Sequence, residues 1–280
     1  MISGQALSRD DAGPRRLLCV RPEIPSAEMR RVILEQAKRA GVGHIGSALS
    51  IADVVATLYA SVLRAGTKGE DRDRFILSNG HTVLAVYAAL FLGGLIDQSD
   101  LDTYCADGSV LGVHPQHALR GIDFSTGSLG QGLSIGAGAA LAARLQRSER
   151  RTYVTLSDAE LNEGSVWEAA MFAAQHRLDN LVAIVDLNGQ QALGYTRDVL
   201  DLPELARRWQ LFGWEALSVD GHDRAALAET LTTLAGGRPH VVIAHTTFGK
   251  GVSFMEGKIK WHYSPLSDAE FAQAIAEVRG

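Results

Sequence analysis

Apolar positions along this chain alternate between a helical and a strand-like period. From Ser26 to Ala40, Met29, Val32, Ile33, Gln36 and Ala37 share one helical face, with Ser26 expected as the cap. A glycine-rich break, Gly41 to Ser47, separates this from a second helix expected from about Ser50 to Leu63. Phe75 to Leu77 reads as a short strand before a helix from Thr82 to Leu92, and an alanine- and glycine-rich helix is expected from Leu133 to Leu145. Thr152 to Leu156, Leu181 to Val185, Glu215 to Val219 and His240 to His245 are apolar runs of strand length. Between and after them, helices are expected from Gly164, from Leu205 to Leu211, from Asp223 to about Leu234 and from Asp268 to Val278. In the helix from Gly164, Trp167, Ala170, Met171 and Ala174 mark the expected apolar face, and Gly189 to Gly194 reads as a loop. Strands that are apolar throughout, alternating with helices, predict an α/β fold: a mainly parallel sheet covered by helices on both faces.

The stretch from Thr152 to Asn188 is strand, helix, strand, with Asp158 just past the first strand and Asn188 just past the second. A right-handed crossover brings both to the carboxyl edge of the sheet, where open α/β sheets bind ligands. Carboxylate and amide oxygens suit Mg²⁺ or Ca²⁺, and Mg²⁺ commonly keeps phosphate oxygens in its shell. The same residues also suit a helix cap and a turn, and the local pattern leaves both open. Other segments gather glycine or histidine between the expected elements: Gly41 to Ser47 with His44, Ser78 to His81, Gly112 to Pro115 with His114, Ser125 to Gly132, and Thr246 to Glu256 before Trp261-His262. Glycines let backbone approach a ligand closely, and free amides at a helix start favour phosphate.

With 280 residues, 46% of them hydrophobic, the chain can bury a large core. A net charge of -5 gives no footprint for nucleic acid. No apolar run stands out as a membrane span. Cys19 and Cys105 form no metal spacing and read as reduced thiols. Residues 1–25 read as an N-terminal arm without the apolar stretch of a signal peptide, so a cytoplasmic protein is expected, with one domain over 26–280.

In order along the chain, G-H-I-G-S, D-R-F-I-L-S-N-G-H, H-P, T-G-S-L-G-Q-G, S-D-A-E-L-N-E-G…D-L-N and G-K-G-V-S-F-M-E…W-H resemble the motifs of transketolases. The resemblance covers about Ser26 to Val278. It implies the thiamine diphosphate-binding (PP-type) fold, with Asp158, Asn188 and the carbonyl of Gln190 holding Mg²⁺ or Ca²⁺. It also implies cofactor contacts from Ser47, His81, the main chain of Gly127, Ser128 and Leu129, Ala159, His245 and His262. His44, His114 and His262 are implied catalytic residues, facing the sugar. Ser157 and Ala159 stand where the family motif has glycines, and His245 where many members have lysine. His222, in a D-G-H turn, is expected to be structural, and Glu163 and Glu168 match glutamates at the family's subunit interface.

Single-chain transketolases carry a further domain that binds the aminopyrimidine. This chain therefore resembles the diphosphate-binding subunit of a split transketolase, with a separate C-terminal subunit as partner in an α2β2 assembly. The implied reaction passes a two-carbon ketol unit from a ketose, or ketose phosphate, to an aldose. Rival readings are a subunit of another thiamine enzyme, of the deoxyxylulose-phosphate synthase or ketoacid dehydrogenase α kind, or a non-catalytic binding or regulatory subunit.

Overall fold

A computed structural model describes residues 23–64 and 71–279. The expected N-terminal arm lies outside the described residues as far as residue 22, and Cys19 with it. Five strands form the main sheet: β1 (Arg74–Leu77), β2 (Thr152–Ser157), β3 (Leu181–Leu187), β6 (Glu215–Asp220) and β7 (His240–His245). A two-stranded antiparallel hairpin, β4 (Gln190–Gln191) and β5 (Gly194–Tyr195), follows β3. The main sheet has the order β1-β2-β3-β7-β6 with every pairing parallel, as the apolar runs predict.

Successive strand residues feed two separate cores. Phe75, Leu77, Tyr153, Val182, Ile184, Val242 and Ala244 face the helices Ser26–Ala40, Ile45–Thr57 and Val83–Leu92. Ile76, Val154, Leu156, Ala183, Val185, Val241 and Ile243 face the helices Gly132–Leu145, Gly164–Gln175 and Leu205–Leu211. This is the period-two alternation of a sheet buried on both sides. One helical run, Ile45–Val62, is long and apolar enough to cross a membrane, and 89% of that window is buried within the fold, as a core helix would be.

Several elements depart from expectation. The second helix begins at Ile45, not Ser50, with His44 in the left-handed region ahead of it (φ 60, ψ 19). Pro25 precedes the first helix, and Ser26 lies in its first turn instead of capping it. In Gly164–Gln175 the buried face is Val166, Ala169, Ala170 and Ala173, while Met171 is 51% exposed. Trp167 lies on the flank, against Trp209 and Phe212. The expected loop after Asn188 contains the β4–β5 hairpin. The helix Arg224–Thr232 starts where expected, capped by Asp223.

Candidate active site

The carboxyl ends of β1, β2 and β3 meet loops from both halves of the chain around a cavity of about 660 Å³. A second cavity of about 400 Å³ lies beside it and shares Asn188 and Gln190. Register places Ser157 of β2 opposite Asp186 of β3, and Asp186 opposite Ala244 of β7. Asp158 and Asp186 therefore sit side by side at the middle of the edge, where the central strand ends.

Asp158 is 1% exposed. Its Oδ1 accepts from the amide of Ala159, and its Oδ2 from the amide of Gly189 at 2.7 Å and the hydroxyl of Thr196 at 3.1 Å. Burial, with Asp186 nearby, pushes this carboxyl up to about 7 despite those donors. Asp186 is buried too. Its Oδ1 accepts from Ser50 at 2.8 Å and from Thr246, its Oδ2 from the amide nitrogen of Asn188, and burial raises its pKa as well. Among the described residues, neither carboxylate has a lysine, arginine or histidine within ion-pair distance. Two uncompensated buried carboxylates are costly. Asn188 Oδ1, which accepts from the Gln190 amide at 2.9 Å, and the Gln190 side-chain oxygen, without a partner among the described residues, add acceptors beside them. Acceptors in excess, with no cation of the protein's own, fit a hard divalent metal. No group of three or more His, Cys, Asp or Glu suited to a metal occurs among the described residues, so a metal here would rely on amide and carbonyl oxygens.

The opposite wall is imidazole. His44 lies 5.2 Å from His81 and 5.7 Å from His262, centroid to centroid, and His81 lies 6.1 Å from His262. The His44 amide donates to the His262 carbonyl at 2.8 Å, which fixes the left-handed turn against the Trp261-His262 segment. His262 stacks flat on Phe248, with 5° between the planes. Gly46 makes room for that support, since a Cβ there would lie 2.1 Å from Phe248 Cε1. Burial first, then neighbouring histidines, lowers His81 to about 3 and His262 to about 4; His44 is lowered by burial and His114. The three rings are therefore neutral at pH 7, and the buried Nδ1 atoms of His44 and His262 have no partner among the described residues.

Most of the expected residues converge. His44, Ser47, His81, His114, Gly127, Leu129, Ala159, Asn188, Gln190 and His262 line the large cavity, and Asp158 lines the smaller one. Two do not. Ser128, expected to act through its main chain, has an exposed side chain between Gly127 and Leu129 and is outside the lining, and His245 is exposed at the end of β7, away from the lining of either cavity. The strand is still paired on both sides there: the His245 carbonyl accepts the Gly221 amide, and the Thr246 amide donates to the Leu187 carbonyl. Glu163 stands at the cavity rim, whereas Glu168 lies on the exposed face of its helix. Ser157 turns its hydroxyl to accept the Glu160 amide at 3.2 Å. His222 bridges Asp53 at 2.8 Å and the Thr247 amide at 2.9 Å, which is a structural role.

Two buried acids escaped the sequence reading. Asp186 ends the apolar run of β3, and its position at a strand's carboxyl end was the available signal. Glu160 is wholly buried: it accepts from Ser78 and from the Gly130 amide at 2.7 Å, and burial pushes it up to about 7. It ties the start of the helix Gly132–Leu145 to the end of β1, a link between distant segments that no local pattern carries.

Residues 25–278 match the family described as transketolase, thiamine diphosphate binding domain. An apulose-4-phosphate transketolase subunit of Phocaeicola vulgatus is 40% identical over 261 residues, covering 91% of this chain and 93% of that protein. The 6-deoxy-6-sulfo-D-fructose transketolase subunit SqwG of a Clostridium species is 40% identical over 256 residues, covering 89% and 93%. Transketolase from Leishmania mexicana superposes with a TM-score of 0.84 at 28% identity, covering 91% of this chain. This chain spans only 40% of that structure, and likewise 40% of the human transketolase to which it is 36% identical. Fold, ordered motifs and relatives agree that the chain belongs to the transketolase family, as its thiamine diphosphate-binding N-terminal part.

Proposed function

We propose that this chain is the diphosphate-binding subunit of a two-subunit transketolase of the cytoplasm. A separate subunit would supply the aminopyrimidine half of the site, two copies of each forming an α2β2 enzyme. The observation that carries the reading is the pairing, across one cavity, of an acid edge lacking its own cation with a wall of neutral histidines. The relatives named as transketolase subunits, matched over nearly their whole length, support the division between two chains.

Asp158, Asn188 and the main chain of Gln190 would hold Mg²⁺ or Ca²⁺, and through it the diphosphate. His81, ahead of the helix Val83–Leu92, adds a donor on the diphosphate side, with Ser47 and the backbone of Gly127 and Leu129. Thiamine diphosphate, when bound, supplies the nucleophilic carbon through which a two-carbon ketol unit passes from a ketose to an aldose. His44, His114 and His262 face the space left for the sugar. Kept neutral by burial, His44 and His262 can accept a proton from a hydroxyl and return it, and they orient the sugar meanwhile. The exposed Leu193, Val199, Leu200 and Tyr263 ring the cavity mouth, and a partner closing over them would exclude water from the site.

The test is a ketol-transfer assay with a ketose phosphate donor and an aldose acceptor, using the chain alone and co-purified with its partner, with and without thiamine diphosphate and Mg²⁺. The expected result is cofactor-dependent transfer by the pair only. Transfer by the isolated chain at an ordinary enzymatic rate would sink the two-subunit reading, and no transfer by the pair would sink the activity.

A further inference from the structure

Asn188 is a weak choice for a cation ligand on its own. A carboxamide has one oxygen face and one NH₂ face of nearly the same shape, and only the first attracts a cation. A flip of the side chain about its last bond would aim two N–H donors at the metal. Something must hold the amide one way round.

The surroundings of Asn188 do so asymmetrically. Its Nδ2 donates to Asp186 Oδ2 at 3.2 Å and to Ser50 Oγ at 3.3 Å. Its Oδ1 accepts from the Gln190 amide at 2.9 Å. The Ser50 hydroxyl is committed as well, donating to Asp186 Oδ1 at 2.8 Å, with Thr246 donating to the same oxygen. A carboxylate only accepts, so Asp186 can face the NH₂ group of Asn188 and never its oxygen. Asp186 is 2% exposed, and no cationic side chain among the described residues lies within ion-pair distance of it. A carboxylate buried without such a partner burdens the fold, which argues against a purely architectural purpose.

We infer that Asp186 is a positioning residue for the cation: it locks the amide of Asn188 so that Oδ1, not the NH₂ group, is presented to the metal. This rests on the metal reading of Asp158 and Asn188. Asp186 acts through Asn188 and touches neither metal nor sugar in this role. Ser50 and Thr246, from two other segments of the chain, hold Asp186 in turn.

The experiment titrates Mn²⁺ into the assembled two-subunit enzyme in the presence of thiamine diphosphate and follows free Mn²⁺ by electron paramagnetic resonance. Asp186→Asn keeps size and removes the directing charge. It should weaken Mn²⁺ binding by about 10–100-fold, the range for residues that orient metal ligands. The melting temperature of the metal-free Asp186→Asn chain should hold or rise, because a buried unpaired charge is gone, whereas an architectural role would lower it. In the exchanged double variant Asp186→Asn/Asn188→Asp, amide donates to carboxylate with the roles reversed, and a carboxylate has no wrong face. Its affinity should recover to within about threefold of the unaltered chain, since the ligand again presents oxygen. If Asp186→Asn binds Mn²⁺ as well as the unaltered chain, or if the exchange recovers nothing, Asp186 does not act by orienting Asn188. If the unaltered two-subunit enzyme shows no Mn²⁺ binding linked to thiamine diphosphate, the metal reading falls, and this inference with it.

Discussion

The two edges of the main sheet handle buried acid in opposite ways. At the amino edge, Asp73 takes the Arg64 guanidinium at 3.0 Å and the amides of Arg64 and Arg151 at 2.9 and 2.8 Å. Asp123, beside it, is gripped by both terminal nitrogens of Arg72, with the Phe75 amide as a further donor. At the carboxyl edge of the same strands, Asp158, Asp186 and Glu160 are as deeply buried, yet only hydroxyls and amides reach them. An arginine beside a buried aspartate completes a charge pair within the chain. Its absence at the other edge leaves negative charge that a ligand can complete, and burial has already pushed Asp158 up to about 7 for want of it. The first edge is built for stability, the second for a cation brought from solution.

The strongest way to break this contrast is to remove one acid from each edge. Asp158→Ala should abolish Mg²⁺-dependent thiamine diphosphate binding, weakening it by more than about 100-fold, because it takes away the charged ligand of the metal site. Calorimetry on the assembled enzyme measures this. Unchanged affinity would remove the metal from this edge. Thiamine diphosphate with Mg²⁺ at about 100 times its Kd should raise the stability of the unaltered protein by about 2.7 kcal/mol, and that gain should vanish in Asp158→Ala.

Asp73→Ala should do the reverse. It leaves two buried amides without their acceptor and removes the ion pair of the half-exposed Arg64, at a cost of about 2 kcal/mol, while cofactor affinity stays within about twofold. Urea unfolding of both variants separates the cases. An Asp73→Ala protein that keeps its stability and loses its cofactor would erase the distinction between the edges.

How much of this was legible in the sequence follows from how local each cause is. The strands could be read because each is an apolar run bounded by breakers, and Asp158 and Asn188 because one strand–helix–strand unit holds both. The histidines lie on separate segments, and the order of their motifs, not any spacing, joined them. Asp186 and Glu160 were missed because their roles depend on Ser50, Thr246, Ser78 and Gly130, far away in sequence. The face of Gly164–Gln175 was placed one position off because Trp167 and Met171 dominate a hydrophobic pattern in which alanines carry the contact. Paired strands of two residues, as in β4 and β5, have no period to detect. His245 was placed by its motif position alone, and its exposure at the end of β7 depends on tertiary packing that no local pattern carries.

The histidine wall differs from the acid edge in the direction burial moves its charge. Burial holds His81 near 3 and His262 near 4, against about 6.5 for a free imidazole. Above pH 6.5 folded and unfolded chains bind the same protons at these sites. Below it the unfolded chain binds protons that the folded one refuses, so stability falls as pH drops from about 6.5 toward 4. His262→Gln should flatten that slope relative to the unaltered protein, and should lower turnover by about 100-fold if the ring moves a proton. Thermal melts across this range and steady-state rates are the measurements. A variant with the original slope and full activity would reduce His262 to packing on Phe248.

The smallest expected effect concerns apolar surface, and again the edges differ. Leu200, 55% exposed, lies on the rim of the carboxyl-edge cavity with Leu193, Val199 and Tyr263. Leu145, 77% exposed, ends a helix at the amino edge, away from the cavity mouth. A scattered exposed leucine needs no explanation, but several around one cavity mark a surface made to be covered. Leu200→Ser and Leu145→Ser change the same chemistry, and neither should shift the stability of the isolated chain by more than about 0.5 kcal/mol. Only Leu200→Ser should weaken association with the partner, by about tenfold, which corresponds to roughly 1.4 kcal/mol. Sedimentation of mixtures with the partner reads both. Equal weakening by the two variants would spread the interface over both edges, and no weakening by Leu200→Ser would move the partner off the cavity mouth.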